Sequence, residues 1–337
     1  ALRGMFATHP PLVDRIKALD PAFDESQFAR VETHREVMNQ ADDSRSAAFA
    51  GDVTSAFASS GTGVLAESIA ETVGRPRTEH IDFARDLRQA IPESLYDAAH
   101  SSELAYLLAV ALVLDRSGKV IDRQFAMVQE LLGQQRTQFI RRFYDELLAS
   151  GAEFRLPLLE IAFPAIKRRP IQQLSFLVSL TARMIEVDGE VELYEFCFHR
   201  IMMSNLGRAI DPSGKRTALK ARRSELRSAA IRLLAILAEY GHNTDVERRA
   251  AFAAGTATLG PWAQDAPYAP SRDDTINVLN QSLDILLGLN SKGQESLLRA
   301  VSATAAHDGV LSVAEAELTR AVCATLNYPL PPILVLR

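Results

Sequence analysis

Cysteine is almost missing: Cys197 and Cys323 are the only two in 337 residues. Two thiols build no disulfide framework, and neither sits in a C-x-x-C pair. They read as buried thiols in a chain suited to a reducing compartment. Long apolar runs are missing too. The longest, 104–114, is eleven residues, and a membrane-spanning helix needs about twenty. No signal peptide opens the sequence. Aromatic residues make up only 7%, and Trp262 is the single tryptophan. No stretch sustains a two-residue alternation ending in a hairpin turn, which argues against a β fold. None of the seven histidines is followed by glutamate, so there is no H-E-x-x-H. An excess of positive charge is also absent. Lys and Arg number 37 against 42 acids, a net charge of −5, which fits poorly with general nucleic-acid binding.

What remains is an ordinary globular composition, 47% hydrophobic and 23% charged. The length has room for about two domains. It can bury roughly 70–75% of its unfolded surface without a metal or disulfide staple. Helical spacing is abundant. Leu219, Leu226, Leu233 and Leu237 share a face between Lys215 and Tyr240. Val278, Leu283, Ile285, Leu286 and Leu289 do the same after Arg272. Spacings of three, four and seven define amphipathic helices. The expected fold is all-α.

Composition divides the chain into three parts. Residues 1–40 carry two short helices, the first opened by Pro10-Pro11 and closed at Asp20-Pro21. Residues 41–76 are rich in Ser and Gly, with few large apolar side chains, and read as a flexible linker. Residues 77–337 are densely helical, punctuated by Pro92, Pro157, Pro164, Pro170 and Pro212. A loop is expected from Gly255 to Pro270, and an extended tail at Pro329-Leu330-Pro331-Pro332.

Within the helical part a pattern recurs over 104–132, 174–203 and 297–326. Each copy has an apolar helix, a short polar turn containing Gly, and an amphipathic helix. The turns are Asp115-Arg116-Ser117-Gly118, Asp188-Gly189 and Asp308-Gly309. Six residues past each glycine stand Gln124, Glu195 and Glu315. Gly tolerates positive φ, Asp bonds the nearby backbone, and Glu in a first helical turn complements the dipole. The architecture expected is stacked helical hairpins. Around the Asp-Gly turn and the later Glu, the second and third copies resemble the helical module of TerB-like tellurite-resistance proteins, over roughly thirty residues each.

Few side chains assemble into chemistry. Glu186, Asp188, Glu190, Glu192 and Glu195 crowd one turn, with His199 one helical turn beyond Glu195. Asp188, Glu195 and His199 are candidate ligands for a divalent cation. The plain alternative is a solvated acidic turn, and the Ca²⁺-loop spacing is not met. Arg216, Lys220, Arg223 and Arg227 form a basic stripe, read either as a contact for anionic lipid headgroups or an acidic partner, or as the wet face of a helix. Met202 and Met203, after Phe196 and Phe198, read as core. Gly61-Thr62-Gly63 lacks the strand and the Lys-Ser/Thr of a phosphate loop.

The segment Met5-Phe6-Ala7-Thr8-His9-Pro10-Pro11-Leu12-Val13-Asp14-Arg15-Ile16-Lys17-Ala18-Leu19 carries the most specific signal. It resembles the phrase F-[SA]-T-H-P-P-x-x-x-R-I-x-x-L that closes the catalytic domain of HtpX-type and CAAX-prenyl-endopeptidase-type membrane zinc metallopeptidases. Every fixed position is matched, over about 5% of the chain. The resemblance implies a parent in the inner membrane, with membrane helices, a cytoplasm-facing zinc domain, and H-E-x-x-H plus a third Glu ligand upstream of Ala1. The chain starts Ala1-Leu2-Arg3-Gly4 without an initiator Met, and the expectation is a fragment. Zinc then belongs to the parent, and this chain alone is expected to be inactive. His9, at a helix N-terminus, and Arg15 are the supporting candidates for the parent's site. No cofactor is expected for the chain itself. The expected partners are the upstream catalytic domain, protein substrates or regulators, and an anionic membrane surface, but not nucleic acid. The competing reading is a stand-alone TerB-like interaction module.

Overall fold

The computed structural model describes residues 85, 87–116, 118–211, 221–263, 265–270 and 274–328. All of them belong to one contact unit, Gly61–Arg337. The expected remnant 1–40, linker 41–76 and tail, and with them His9 and Arg15, lie outside the described residues. The described residues are helical and contain no strand. In chain order the helices are α1 (Glu93–His100), α2 (Leu104–Leu112), α3 (Gly118–Leu132), α4 (Gln134–Ser150), α5 (Arg155–Ile166), α6 (Ile171–Ile185) and α7 (Leu193–Ile210). They continue as α8 (Arg223–Gly241), α9 (Asp245–Thr258), α10 (Thr275–Leu286), α11 (Ser291–Ala305) and α12 (Val313–Leu326).

The longest apolar run becomes α2, in which every residue from Ala105 to Leu112 is buried. A helix that is apolar all round must be enclosed, and α1, α4 and α5 enclose it. Prolines and glycines set several of the boundaries. Pro92 and Pro170 are the N-caps of α1 and α6. Gly133 and Gly151, both at positive φ, separate α3, α4 and the turn that follows. Pro164 does not break the chain as expected. It lies inside α5, two residues from the helix end, where the missing donor affects only the last turn. Nor does the expected loop begin at Gly255. Gly255 is inside α9 and buried, and a Cβ there would sit 2.0 Å from Thr304 Oγ1 and 3.0 Å from the Ala300 carbonyl. This glycine lets α9 lie close against α11, where a larger residue would clash.

The second and third repeats form as α6–α7 and α11–α12, each a packed helical pair. Their turns are alike. Gly189 and Gly309 have φ of 84° and 79°. Asp188 and Asp308 accept from the backbone N–H two residues ahead. The first repeat differs. Gly118 has no positive φ and opens α3 instead of closing a turn, and α3 packs on α4.

The likeness extends past these pairs. α5 and α10 begin 120 residues apart, at 155 and 275. So do α6 and α11, at 171 and 291, and α7 and α12, at 193 and 313. α7 packs along α12, and the bonds across this junction are reciprocal. Arg200 of α7 donates to Asn280 of α10 at 3.0 Å, and Arg320 of α12 is ion-paired with Glu160 of α5. Arg200 corresponds to Arg320, and Asn280 to Glu160. Such crosswise pairing is what a two-fold relation between equivalent units produces.

Candidate functional site: a cleft beside α7

The acidic turn before α7 does not act as one cluster. The Glu192 N–H donates to Glu195 Oε2 at 3.0 Å, and Glu192 caps the same helix in return. Glu195 is therefore a buried N-terminal cap. Glu315 does the same in α12, accepting from the Ser312 N–H and hydroxyl, both at 2.8 Å. At the matching place in the first repeat, the buried Gln124 accepts from the Asp115 N–H and donates to the Met184 carbonyl. The shared position is a buried hydrogen-bonding anchor. Burial raises both Glu195 and Glu315 to about 7. Asp188 is engaged in its turn.

That leaves Glu186 and Glu190, which face a cleft of about 1290 Å³ together with His199. One wall is α7 and the turn before it. The other is α10 with its N-cap, which supplies Asp274, Asn277 and Asp284. Arg200 ties the walls together. It donates to Asn280 at 3.0 Å, to Asp284 at 2.7 Å, and to Thr325 of α12 at 3.0 Å. Burial, and then the Arg200 guanidinium, hold His199 below the ordinary imidazole range. Its ring is thus neutral near pH 7 and offers a hydrogen-bond acceptor. Phe196, Met203, Ile276 and Leu287 add apolar surface. Met203, expected in the core, is 40% exposed and lines this cleft, whereas Met202 is fully buried. The two point apart because adjacent residues on a helix differ by about 100°.

The equivalent face of the other half is closed. Thr319, Arg320 and Cys323, which correspond to His199, Arg200 and Met203, are all buried. The Arg155 guanidinium lies 3.4 Å over the Tyr194 ring and 3.6 Å from Glu317. The residue corresponding to Arg155 in α10 is Thr275, which lines the open cleft.

Among the described residues no group of three or more His, Cys, Asp or Glu side chains is arranged to hold a metal ion. Cys197 and Cys323 are free and buried. Burial pushes both thiols up, Cys323 to about 12, so neither supplies a thiolate nucleophile. Of the basic stripe, Arg223 begins α8 and Arg227 donates to the Trp262 carbonyl at 2.6 Å. Arg216 and Lys220 lie outside the described residues. Among the described residues no helix is long and apolar enough to cross a membrane.

The α7 side of the cleft was partly visible in sequence, through Glu186, Glu190 and His199. The α10 side was missed. Its one local signal is a polar row, Asn277, Asn280 and Asp284, on an otherwise apolar helix. The chain matches no protein-family model, no curated protein and no solved structure.

Proposed function

We propose that the chain is the C-terminal part of a membrane-bound zinc metalloendopeptidase of the HtpX-like kind, and that its helical body recruits or regulates proteins for that protease. The observation that carries the reading is the fifteen-residue phrase at 5–19. One property of the described residues supports an accessory role: the helical pairs α6–α7 and α11–α12, laid together through α7 and α12, leave a sizeable cleft at the surface. Stacked hairpins suit the holding of other polypeptides. On this reading the upstream domain holds zinc through H-E-x-x-H and a further Glu. Zinc there would supply an activated water for peptide-bond hydrolysis, with the Glu of the motif as the general base. His9 and Arg15 then support that domain from the helix that ends it.

The competing reading is a stand-alone TerB-like interaction module, favoured by the paired Asp-Gly turns of the second and third repeats. The coding sequence upstream of Ala1 separates the two. H-E-x-x-H preceded by apolar spans of about twenty residues is expected, and a start codon immediately before Ala1 overturns the protease reading. So does purified chain that holds stoichiometric zinc and hydrolyses casein unaided.

A further inference from the structure

Gly207 stands inside α7, where glycine costs about 0.5–1 kcal/mol relative to alanine. Elsewhere an interior glycine has a visible reason. Gly255 has Thr304 within 2.0 Å of its would-be Cβ. Gly207 has none: beyond its chain neighbours and its own helix backbone, no described atom lies within 4 Å of that point, its φ is helical, and it lines the cleft. A missing side chain on a cleft wall, with no other described part of the chain against it, leaves room for a guest backbone to approach closely.

The cleft's chemistry narrows the guest. Glu186, Glu190, Asp211, Asp274 and Asp284 contribute carboxylates against the guanidinium groups of Arg200, which Asp284 neutralises, and Arg208, so acids stay in excess. His199 adds a neutral acceptor. The field is that of an anionic wall, which selects cationic partners and speeds their encounter. Apolar side chains alternate with these acids: Val191 and Met203 on one wall, Ile276 and Leu287 on the other. At the junction of the halves a guanidinium already lies between an aromatic ring and a carboxylate: Arg155 of α5 is over Tyr194 of α7 and near Glu317 of α12, at the position where α10 has Thr275.

We propose that the α7–α10 cleft binds an extended polypeptide segment that carries arginine or lysine side chains interspersed with apolar ones, its backbone passing over Gly207. This deepens the recruitment reading by naming the site and the chemistry of the recruited segment, and it rests on that reading only for its biological purpose.

The test uses the full 337-residue chain and fluorescence anisotropy with a labelled peptide of about twelve alternating leucines and arginines. The controls are a second peptide with glutamate for arginine, and spermine as competitor. Binding of the basic peptide is expected, with negligible binding of the acidic one. E186Q/E190Q should weaken it at least tenfold. G207W should abolish it while melting no lower than the parent chain, since the new side chain enters open space. G207A should melt slightly higher. Unchanged affinity in a folded G207W variant overturns the proposal, as does equal binding of the acidic peptide. Full displacement by spermine at concentrations similar to the peptide's would reassign the cleft to small polycations and likewise overturns it. A chain that binds as expected but has no upstream H-E-x-x-H leaves the cleft proposal standing and removes only the protease reading.

Discussion

At the scale of single residues, the buried Glu315 shows what the repeated glutamate does. Its Oε2 anchors the start of α12, while Oε1 has no hydrogen-bond partner and lies 3.6 Å from His242 Nδ1. The space is tight. Gly241 precedes His242, and a Cβ there would come within 2.0 Å of Oε1. Spacing alone pointed to a favourable helix-end charge. It did not reveal that the carboxyl is enclosed, because enclosure depends on α8, some seventy residues earlier. Burial raises Glu315 from an unfolded value near 4.5 to about 7. The folded state therefore holds a proton between those values that the unfolded state has released, and stability falls as pH rises from about 4.5 to about 7. Glu195 and Glu317 shift in the same direction, each to about 7. Glu315→Gln keeps a capping acceptor but cannot ionise. Urea unfolding at pH 5 and pH 8 should show the variant losing less stability than the parent, by on the order of 3 kcal/mol at most. Parallel losses in both proteins would contradict the assignment.

Turns and helix ends were the most legible feature at the scale of elements. Asp188-Gly189 and Asp308-Gly309 stop α6 and α11 as their residues require, and Ser312 caps α12 with Glu315 three residues on. Boundaries set by packing between distant elements were not legible. Gly255 reads as a loop until α11 is placed beside it, and Pro164 reads as a break although α5 has nearly ended. The first repeat had a glycine in the right place for the wrong reason, since Gly118 begins a helix. Substitution separates the cases. Gly189→Ala and Gly309→Ala force a Cβ into left-handed backbone and should each cost about 1–2 kcal/mol. Gly118→Ala meets open space at an ordinary φ, and should be neutral or stabilising by about 0.5 kcal/mol. Denaturant midpoints of the three variants decide it; an equal cost at Gly118 would show that the three turns are alike after all.

At the scale of the whole molecule, the all-helical class was legible from periodicity, and the correspondence between two distant hairpins was legible as a repeat. Their reciprocal contact was not. Sequence spacing cannot show that Arg200 reaches α10 while Arg320 reaches α5. These crossed bonds couple the halves. Arg320→Ala leaves Glu160 without its cation and should cost about 2 kcal/mol, the scale of a charge-assisted hydrogen bond. Amide hydrogen exchange should then quicken in α5 as well as α12. Quickening confined to α12 would mean that the halves open independently.

The 120-residue offset has one more consequence. Two like subunits gripping each other by the same patch make a homodimer, and in this chain both subunits sit on one polypeptide. A true homodimer must alter both copies of a surface at once, because one gene writes both. Joined end to end, the two faces need not match: one is closed at Thr319 and Cys323, while the other is open at His199, Met203 and Gly207.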